Sequence, residues 1–126
     1  MLKNLFFWIA LCWTGVVLFF CLAPSNDIPA INIPNLDKLV HAFFHFVFTI
    51  LWFLFFKKQV KKKNQLKLLV VAVVFSVLFG IGIEILQDQF TTSRNGDFFD
   101  VLANFTGAVI AFSFVLFAKK IKNRSI

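Results

Sequence analysis

Ionisable and amide side chains fall into three groups in an otherwise very apolar chain of 126 residues. The groups are Asp37, Lys38, His41 and His45; Glu84 and Gln87; and Arg94, Asp97, Asp100 and Asn104. Arginine and lysine can bind a phosphate or carboxylate, whereas carboxylates and imidazoles can exchange protons or accept hydrogen bonds from a ligand. These residues therefore mark where binding or catalysis could occur.

The first group lies on one face of a predicted helix, because Asp37, His41 and His45 are spaced i, i+4 and i+8. Asp37 alone could be a helix N-cap, and His45 alone could be a hydrogen-bonded packing residue. Ionisable groups within membrane spans usually face the bundle interior, however, and they are often functional. The shared face therefore favours a functional interpretation.

The second group continues a stripe of small residues on the next predicted helix. The stripe is Ser76, Gly80 and Glu84, followed by Gln87 and Asp88. Small residues permit close helix packing, but an unpaired Glu84 near a membrane boundary would cost on the order of a few kcal/mol. We therefore expect Glu84 either to be protonated or to be paired. Its predicted partners are Arg94, His41 and Lys38.

The third group opens the last apolar run. Asp97 follows the turn signal Asn95-Gly96 and can cap the helix, while Asp100 lies in the first turn, where the helix dipole favours an acid. Capping does not explain Asn104, one turn further in. The stripe Asp97, Asp100, Asn104, Gly107 and Ala111 is polar and then small, which is typical of a buried helix face.

Four apolar runs must position these groups. The chain is 60% hydrophobic, which predicts an integral membrane protein with one domain, residues 1–126. The runs, residues 5–23, 39–56, 68–86 and 98–118, are each long enough, or nearly so, to span a membrane. The fold class is therefore an all-α bundle of four transmembrane helices. We expect the first run to be a retained helix rather than a signal peptide, with Gly15 at a close helix contact.

Charge predicts the orientation of the bundle. Eleven of the thirteen basic residues, all except Lys38 and Arg94, flank one side of a four-span arrangement, and all six acids fall toward the other. The positive-inside rule therefore places both termini, the lysine-rich loop 57–67 and a basic tail, residues 119–126, in the cytoplasm. A short lysine run between two spans does not predict nucleic-acid binding. The proline-containing connection, residues 24–36, is expected at the outer membrane surface.

The three polar groups are thus expected to meet at the outer end of the bundle. Here the chain resembles the VanZ-like family of small bacterial membrane proteins. The resemblance rests on D-K-L-V-H-A-F-F-H at Asp37 to His45, G-I-E-I-L-Q at Gly82 to Gln87, and R-N-G-D-F-F-D-V-L-A-N-F-T-G-A at Arg94 to Ala108. It covers roughly residues 37–115, and the family's namesake is associated with teicoplanin resistance. The resemblance implies a role in the bacterial cell envelope and a location in the cytoplasmic (inner) membrane.

The chain departs from the family pattern at two places. His45 stands where the family commonly has an aromatic residue such as tyrosine, and Thr92-Ser93 stands where a Pro-Gly usually precedes the arginine. The first departure bears on the role of His45 and the second on the position of Arg94.

Three functions are open from the sequence. The first is binding of membrane lipids, a lipid-linked cell-wall precursor or a glycopeptide-type drug. The predicted binding residues are Asp37, Lys38, His41, Glu84, Gln87, Arg94, Asp97, Asp100 and Asn104. The second is hydrolysis or transfer on a lipid-linked phosphate or glycan, with catalytic candidates His41, Glu84 and Asp100. The third is a purely structural hydrogen-bond network, and a channel is disfavoured because the inner halves lack a polar path.

The sequence predicts no cofactor and no metal site. The spacing of its aspartates and histidines does not match a recognised metal motif. A divalent cation held by Asp and His is a weaker alternative within the enzyme hypothesis. The oligomeric state is not predicted.

Overall fold

The computed structural model describes residues 2–24, 33–60, 64–92 and 96–125, without the side chains of residues 2 and 3. Within these ranges the chain forms four α-helices and no strand. They are α1 (Leu2–Leu22), α2 (Leu36–Gln59), α3 (Gln65–Phe90) and α4 (Phe98–Arg124). All four are long and apolar enough to cross a membrane, which confirms the predicted fold class.

The helices extend beyond the predicted apolar runs, mainly at polar ends. α3 continues four residues past the predicted end at residue 86, and the basic residues predicted as a tail continue α4 to Arg124. At the end of α4, lysine and arginine have good helix propensity and interact favourably with the helix dipole. α4 therefore continues beyond its apolar run. The predictions for the first connection fall largely on residues 25–32, outside the described residues.

Of the two aspartates that the sequence offers as helix N-caps, Asp97 is a cap and Asp37 is not. The Asp97 carboxylate accepts a hydrogen bond from the backbone N–H of Phe99 at 2.8 Å and caps α4, as predicted. Asp37 is not a cap: the N-cap position is Asn35, without a side-chain hydrogen bond, and the helix begins at Leu36. Asp37 therefore lies in the first turn, where its carboxylate faces Lys38 and His41 instead.

α2 makes the most extensive contacts of the four helices, above all with α4. The α2–α4 contact is backbone against backbone. A Cβ added at Gly107 would lie 2.0 Å from the carbonyl oxygen of Ala42, so only glycine fits there. Gly107 and Ala111 are buried, which confirms the predicted buried face of α4.

α1 packs against α2 largely through aromatic side chains. Trp13 donates from Nε1 to the carbonyl oxygen of Phe44 at 3.0 Å, and Trp52 donates to Thr14 Oγ1 at 3.2 Å. The prediction that Gly15 marks a close helix contact is wrong, since nothing lies within 4 Å of a Cβ placed there. The side chains of α1, not its glycine, make its packing surface.

Candidate functional site at one end of the bundle

The polar residues collect where α2 and α4 begin and α3 ends, which we term the polar end. Its centre is the Lys38 ammonium, which contacts three carboxylates. Nζ lies 3.2 Å from Asp37 Oδ2 and 2.8 Å from Asp97 Oδ2, and it also bonds Asp100 Oδ1. α2 and α4 are neighbours along their length, so the start of α2 meets the start of α4. One cation thus ties the two helices together.

The charge of Lys38 alters Asp97 in turn. The hydrogen bond from Lys38, together with the cap bond from the Phe99 N–H, holds the pKa of the Asp97 carboxyl below its ordinary value. The Asp97 side chain is 41% exposed, so solvent screens this pair. Because its pKa is lowered, Asp97 is ionised at neutral pH and keeps its ion pair with Lys38.

His41 lies one turn below Asp37 and is almost fully buried. Its Nδ1 is 3.1 Å from Asn104 Oδ1, and its Nε2 is 3.6 Å from both Asp37 Oδ1 and Asp100 Oδ2. The ligand atoms of Asp37, His41 and Asp100 all lie within 4.8 Å of one another. α2 supplies Asp37 and His41, and α4 brings Asp100, which is distant in sequence, beside them.

Glu84 is 7% exposed and has a partner that the sequence did not indicate. Its Oε2 accepts a hydrogen bond from the backbone N–H of Asp97 at 3.0 Å. Neither His41 nor Lys38 bonds it, and Arg94, the third predicted partner, lies outside the described residues. Its other oxygen, Oε1, is buried without a hydrogen-bond partner among the described residues.

His45 belongs to a deeper and drier environment than His41. It is 1% exposed, its Nδ1 lies 2.8 Å from Ser76 Oγ, and its ring packs near Phe48 and Phe79. A Cβ at Gly80 would lie 3.1 Å from its Cε1 and 2.9 Å from Asn104 Nδ2. These contacts support the interpretation of His45 as a hydrogen-bonded packing residue.

Gln87 faces α1 rather than the lysine cluster. Its buried side-chain amide donates to the carbonyl oxygen of Cys21, near the end of α1. Carbonyl groups in the last turn of a helix commonly accept hydrogen bonds from side chains. Gln87 thus closes the end of α1 onto α3, while Asp88 is exposed and lies off the buried stripe.

An open groove of about 370 Å³ lies between α3 and α4 beside the polar end. It is lined by the carboxylates of Glu84, Asp88 and Asp97 together with apolar side chains. The lining residues are Ile81, Glu84, Ile85, Asp88, Gln89, Gly96, Asp97, Phe98 and Val101. A lining of carboxylates and apolar side chains is chemically suited to an amphipathic molecule.

The structure thus separates the predicted site residues into three places. Asp37, Lys38, His41, Asp97, Asp100 and Asn104 form one cluster between α2 and α4. Glu84 joins it through the backbone of Asp97 and lines the groove. Gln87 binds α1, and Arg94 lies outside the described residues.

The sequence analysis missed the groove. Its apolar wall includes Ile81 and Ile85 on α3 and Phe98 and Val101 on α4. The available signal was the i, i+4 pair Ile81 and Ile85 next to the pair Glu84 and Asp88 on the same helix. Apolar residues are so common in this chain that the pair did not stand out.

The fold and site define a multi-pass membrane protein with a carboxylate-rich site at one end of a helical bundle. The sequence model described as VanZ/LLP1 matches residues 6–119, nearly the whole chain. The chain therefore belongs to the VanZ/LLP1 family, which confirms the resemblance given by the three motifs.

One curated relative is the uncharacterized protein C11E3.10 of Schizosaccharomyces pombe. It is 33% identical to this chain over 96 residues, which are 76% of this chain and 56% of the relative. The chain thus spans little more than half the length of that relative. No solved structure matches the chain significantly.

Proposed function

We propose that the protein binds an amphipathic molecule whose polar head carries a primary amine and whose chain lies along the α3–α4 groove. The observation that carries this proposal is Glu84 Oε1, which is buried at the groove without a hydrogen-bond partner among the described residues. A buried carboxylate oxygen gains most from a charged donor, and an ammonium group offers three N–H bonds. Asp88, one turn further along α3, supplies a second carboxylate in the groove lining.

The charges of the polar end favour a cationic head over an anionic one. The only lysine there among the described residues, Lys38, is already bound by Asp37, Asp97 and Asp100. It therefore has little capacity left for a phosphate or carboxylate. Arg94 is the remaining candidate for an anionic group, and we propose that it contacts the phosphate of the same headgroup.

Several membrane molecules share this chemistry, among them an ethanolamine phospholipid, an amine-bearing lipid-linked precursor and an amphipathic glycopeptide drug. A relative in Schizosaccharomyces pombe favours a ligand that is not confined to bacteria. Binding of a common phospholipid is therefore the simplest form of the proposal, and the precursor and the drug are tested beside it.

Native mass spectrometry of the protein ejected from mixed-lipid nanodiscs tests the proposal. We expect phosphatidylethanolamine to be retained in preference to phosphatidylcholine, whose quaternary ammonium has no N–H to donate. The double variant Glu84→Gln, Asp88→Asn should lose this preference. Val101→Trp should reduce retention of both lipids, because the indole ring would fill part of the groove.

Asp37→Asn is the matched control, since it removes a carboxylate at the polar end that does not line the groove. It should leave the lipid preference unchanged. Equal retention of the two lipids by the unaltered protein, with no competition by an amine-bearing lipid-linked precursor or a glycopeptide, would overturn the proposal.

The cellular consequence is proposed on the same basis. In a bacterial inner membrane, with both termini in the cytoplasm, the site would face the envelope and could sequester a lipid-linked precursor or a drug. Expression in a susceptible deletion strain should then lower glycopeptide susceptibility, and Arg94→Ala should abolish the effect. Unchanged susceptibility on expression would remove this consequence while leaving the lipid test intact.

A second candidate function is hydrolysis or transfer on a lipid-linked phosphate or glycan. The arrangement that favours it is His41, oriented by Asn104 and close to two carboxylates, as a general base would be. Turnover of lipid-linked phosphates by the purified protein, lost in His41→Gln and kept in His45→Gln, would support it. Absence of turnover across such a panel would exclude it in favour of binding alone.

A further inference from the structure

Two carboxylates at the polar end divide their oxygens between two partners. Asp37 presents Oδ2 to the Lys38 ammonium and Oδ1 to His41. Asp100 presents Oδ1 to the same ammonium and Oδ2 to the same imidazole. One oxygen of each aspartate is thus left beside the His41 ring without being used by Lys38.

The hydrogen bond on the other side of the ring fixes what His41 offers these oxygens. Its Nδ1 lies 3.1 Å from Asn104 Oδ1, and this contact is a hydrogen bond in the tautomer that carries the proton on Nδ1. In the neutral ring Nε2 then presents a lone pair to two carboxylate oxygens, each 3.6 Å away. That distance is too long for a direct hydrogen bond, and in this tautomer the three electron-rich atoms leave a place for a cation between them.

The spacing of the three atoms suits a metal ion. A tetrahedral ion with bonds of about 2.1 Å holds neighbouring ligand atoms about 3.4 Å apart. His41 Nε2 lies 3.6 Å from each of the two carboxylate oxygens, and ligand atoms of the three residues lie within 4.8 Å of one another. Asn104 orients the ring from its far side, as outer-shell groups do for histidine ligands of metals.

The local charge also suits a divalent ion. Asp37, Asp97 and Asp100 together with Lys38 leave a formal charge of about −2 where the ionised groups meet. The Asp37 side chain is 55% exposed, so the cluster is open to solvent, whereas Asp100 and His41 are buried. One nitrogen and two carboxylate oxygens are a donor set for Zn²⁺ or Mn²⁺.

We propose that Asp37 Oδ1, His41 Nε2 and Asp100 Oδ2 bind a divalent transition-metal ion, Zn²⁺ or Mn²⁺, with a further coordination position open to solvent. This site is distinct from the lipid groove and stands whether or not the groove binds a lipid. The sequence did not predict it because the spacing of Asp37 and His41 is incomplete without Asp100 from another helix.

Metal binding by the full chain, purified in detergent with any affinity tag removed and stripped with a chelator, tests the proposal. After loading with zinc and desalting, we expect one zinc ion per chain by elemental analysis. His41→Gln and Asp100→Asn should weaken binding by at least about tenfold, since they remove ligands rather than outer-shell groups. Asp37→Asn should also weaken it, and its exposed position makes misfolding a poor explanation of the loss.

His45→Gln and Asp88→Asn are matched controls, because they change the other histidine and another carboxylate near the polar end without touching the cluster. Both should bind zinc as the unaltered chain does. Manganese loading adds an independent readout, since pulsed electron paramagnetic resonance should show a coordinated nitrogen that His41→Gln removes.

Less than one zinc or manganese ion per chain in the unaltered protein would overturn the proposal. Equal metal content in His41→Gln and His45→Gln would overturn it as well. Failure of the lipid proposal would give a different result. The protein would show no lipid preference, while zinc binding would still be weakened by His41→Gln and Asp100→Asn. The two proposals therefore fail on separate measurements.

Discussion

The backbone N–H of Asp97 donates a hydrogen bond to Glu84 Oε2 at 3.0 Å, which joins the end of α3 to the start of α4. The N–H groups at the start of a helix have no acceptors within that helix. Glu84 supplies an acceptor for the N–H of the N-cap residue of α4. Asp97 simultaneously caps its own helix and holds Lys38. Three helices thus meet at one residue.

The Glu84–Asp97 bond predicts a difference between two Glu84 variants. Glu84→Leu should destabilise the protein by about 1–3 kcal/mol, because it leaves the Asp97 N–H without its acceptor. Glu84→Gln keeps an acceptor and should cost clearly less. Thermal unfolding in one detergent measures both, and equal losses would show that charge rather than the hydrogen bond matters.

Asp97 combines two roles that substitution can separate. Asp97→Asn keeps the cap and removes the ion pair with Lys38, whereas Asp97→Ala removes both. The alanine variant should lose about 1 kcal/mol more than the asparagine variant, the usual contribution of an N-cap. Helix content and thermal unfolding would measure this difference, and identical behaviour would argue against the cap.

The ion pair should also appear in the pH dependence of stability. The pKa of Asp97 is lower in the folded protein than its ordinary value of 3.8, so folding favours the ionised form. The resulting stabilisation is complete above that value and is lost as the pH falls through the lower, folded pKa. Asp97→Asn should therefore flatten the acid limb of the unfolding profile, and an unchanged limb would contradict this assignment.

The close approach of α2 and α4 predicts that Gly107 tolerates no side chain. Gly107→Ala places a methyl group 2.0 Å from the Ala42 carbonyl oxygen, so the helices must separate. We expect a loss of about 1–3 kcal/mol or more, typical of overpacking. Gly82→Ala is the control, because nothing lies within 4 Å of its added Cβ, and it should be neutral or slightly stabilising.

The His45–Ser76 hydrogen bond predicts a coupled pair. Ser76→Ala leaves His45 Nδ1 buried without its partner at 2.8 Å and should cost about 1–3 kcal/mol. His45→Phe in the same background removes both ring nitrogens, including Nε2, which already lacks a hydrogen-bond partner among the described residues, and should recover part of the loss. A double-mutant cycle from thermal unfolding would give a coupling energy near zero if the two residues acted independently.

The orientation of the bundle remains a prediction from the basic residues. We expect a single cysteine at Lys58 to react with a reagent only when the cytoplasmic face is opened, and one at Thr92 to react from outside. Cys12 and Cys21 lie within α1 and would first be replaced by alanine. The opposite labelling pattern would reverse the predicted topology.

The helices were predictable because their apolar runs are long, and the buried stripes because periodicity fixes which residues share a face. Gly107, Ala111 and Asn104 are buried as expected for that reason. Packing between helices, not periodicity within one helix, decides which neighbouring helix a given face meets. The sequence therefore placed Gln87 in the site, whereas the structure directs it to Cys21.

Partner choice at the polar end was also beyond the sequence pattern. Lys38 was predicted there, but its three carboxylates follow from the extensive contact of α2 with α4. Glu84 was predicted either to be protonated or to pair with Arg94, His41 or Lys38, and among the described residues its hydrogen-bond donor is a backbone N–H. Backbone donors at helix starts carry no residue-type signature, so side-chain reasoning alone overlooks them.

The contact between Gly107 and the Ala42 carbonyl has a mechanical consequence. Two backbones in direct contact cannot slide past each other without losing that contact, so α2 and α4 form a stiff pair. Gly82 on α3 has open space around it, and the groove separates parts of α3 and α4. Any rearrangement that follows occupancy of the polar end should therefore leave the spacing of α2 and α4 at Ala42 and Gly107 unchanged.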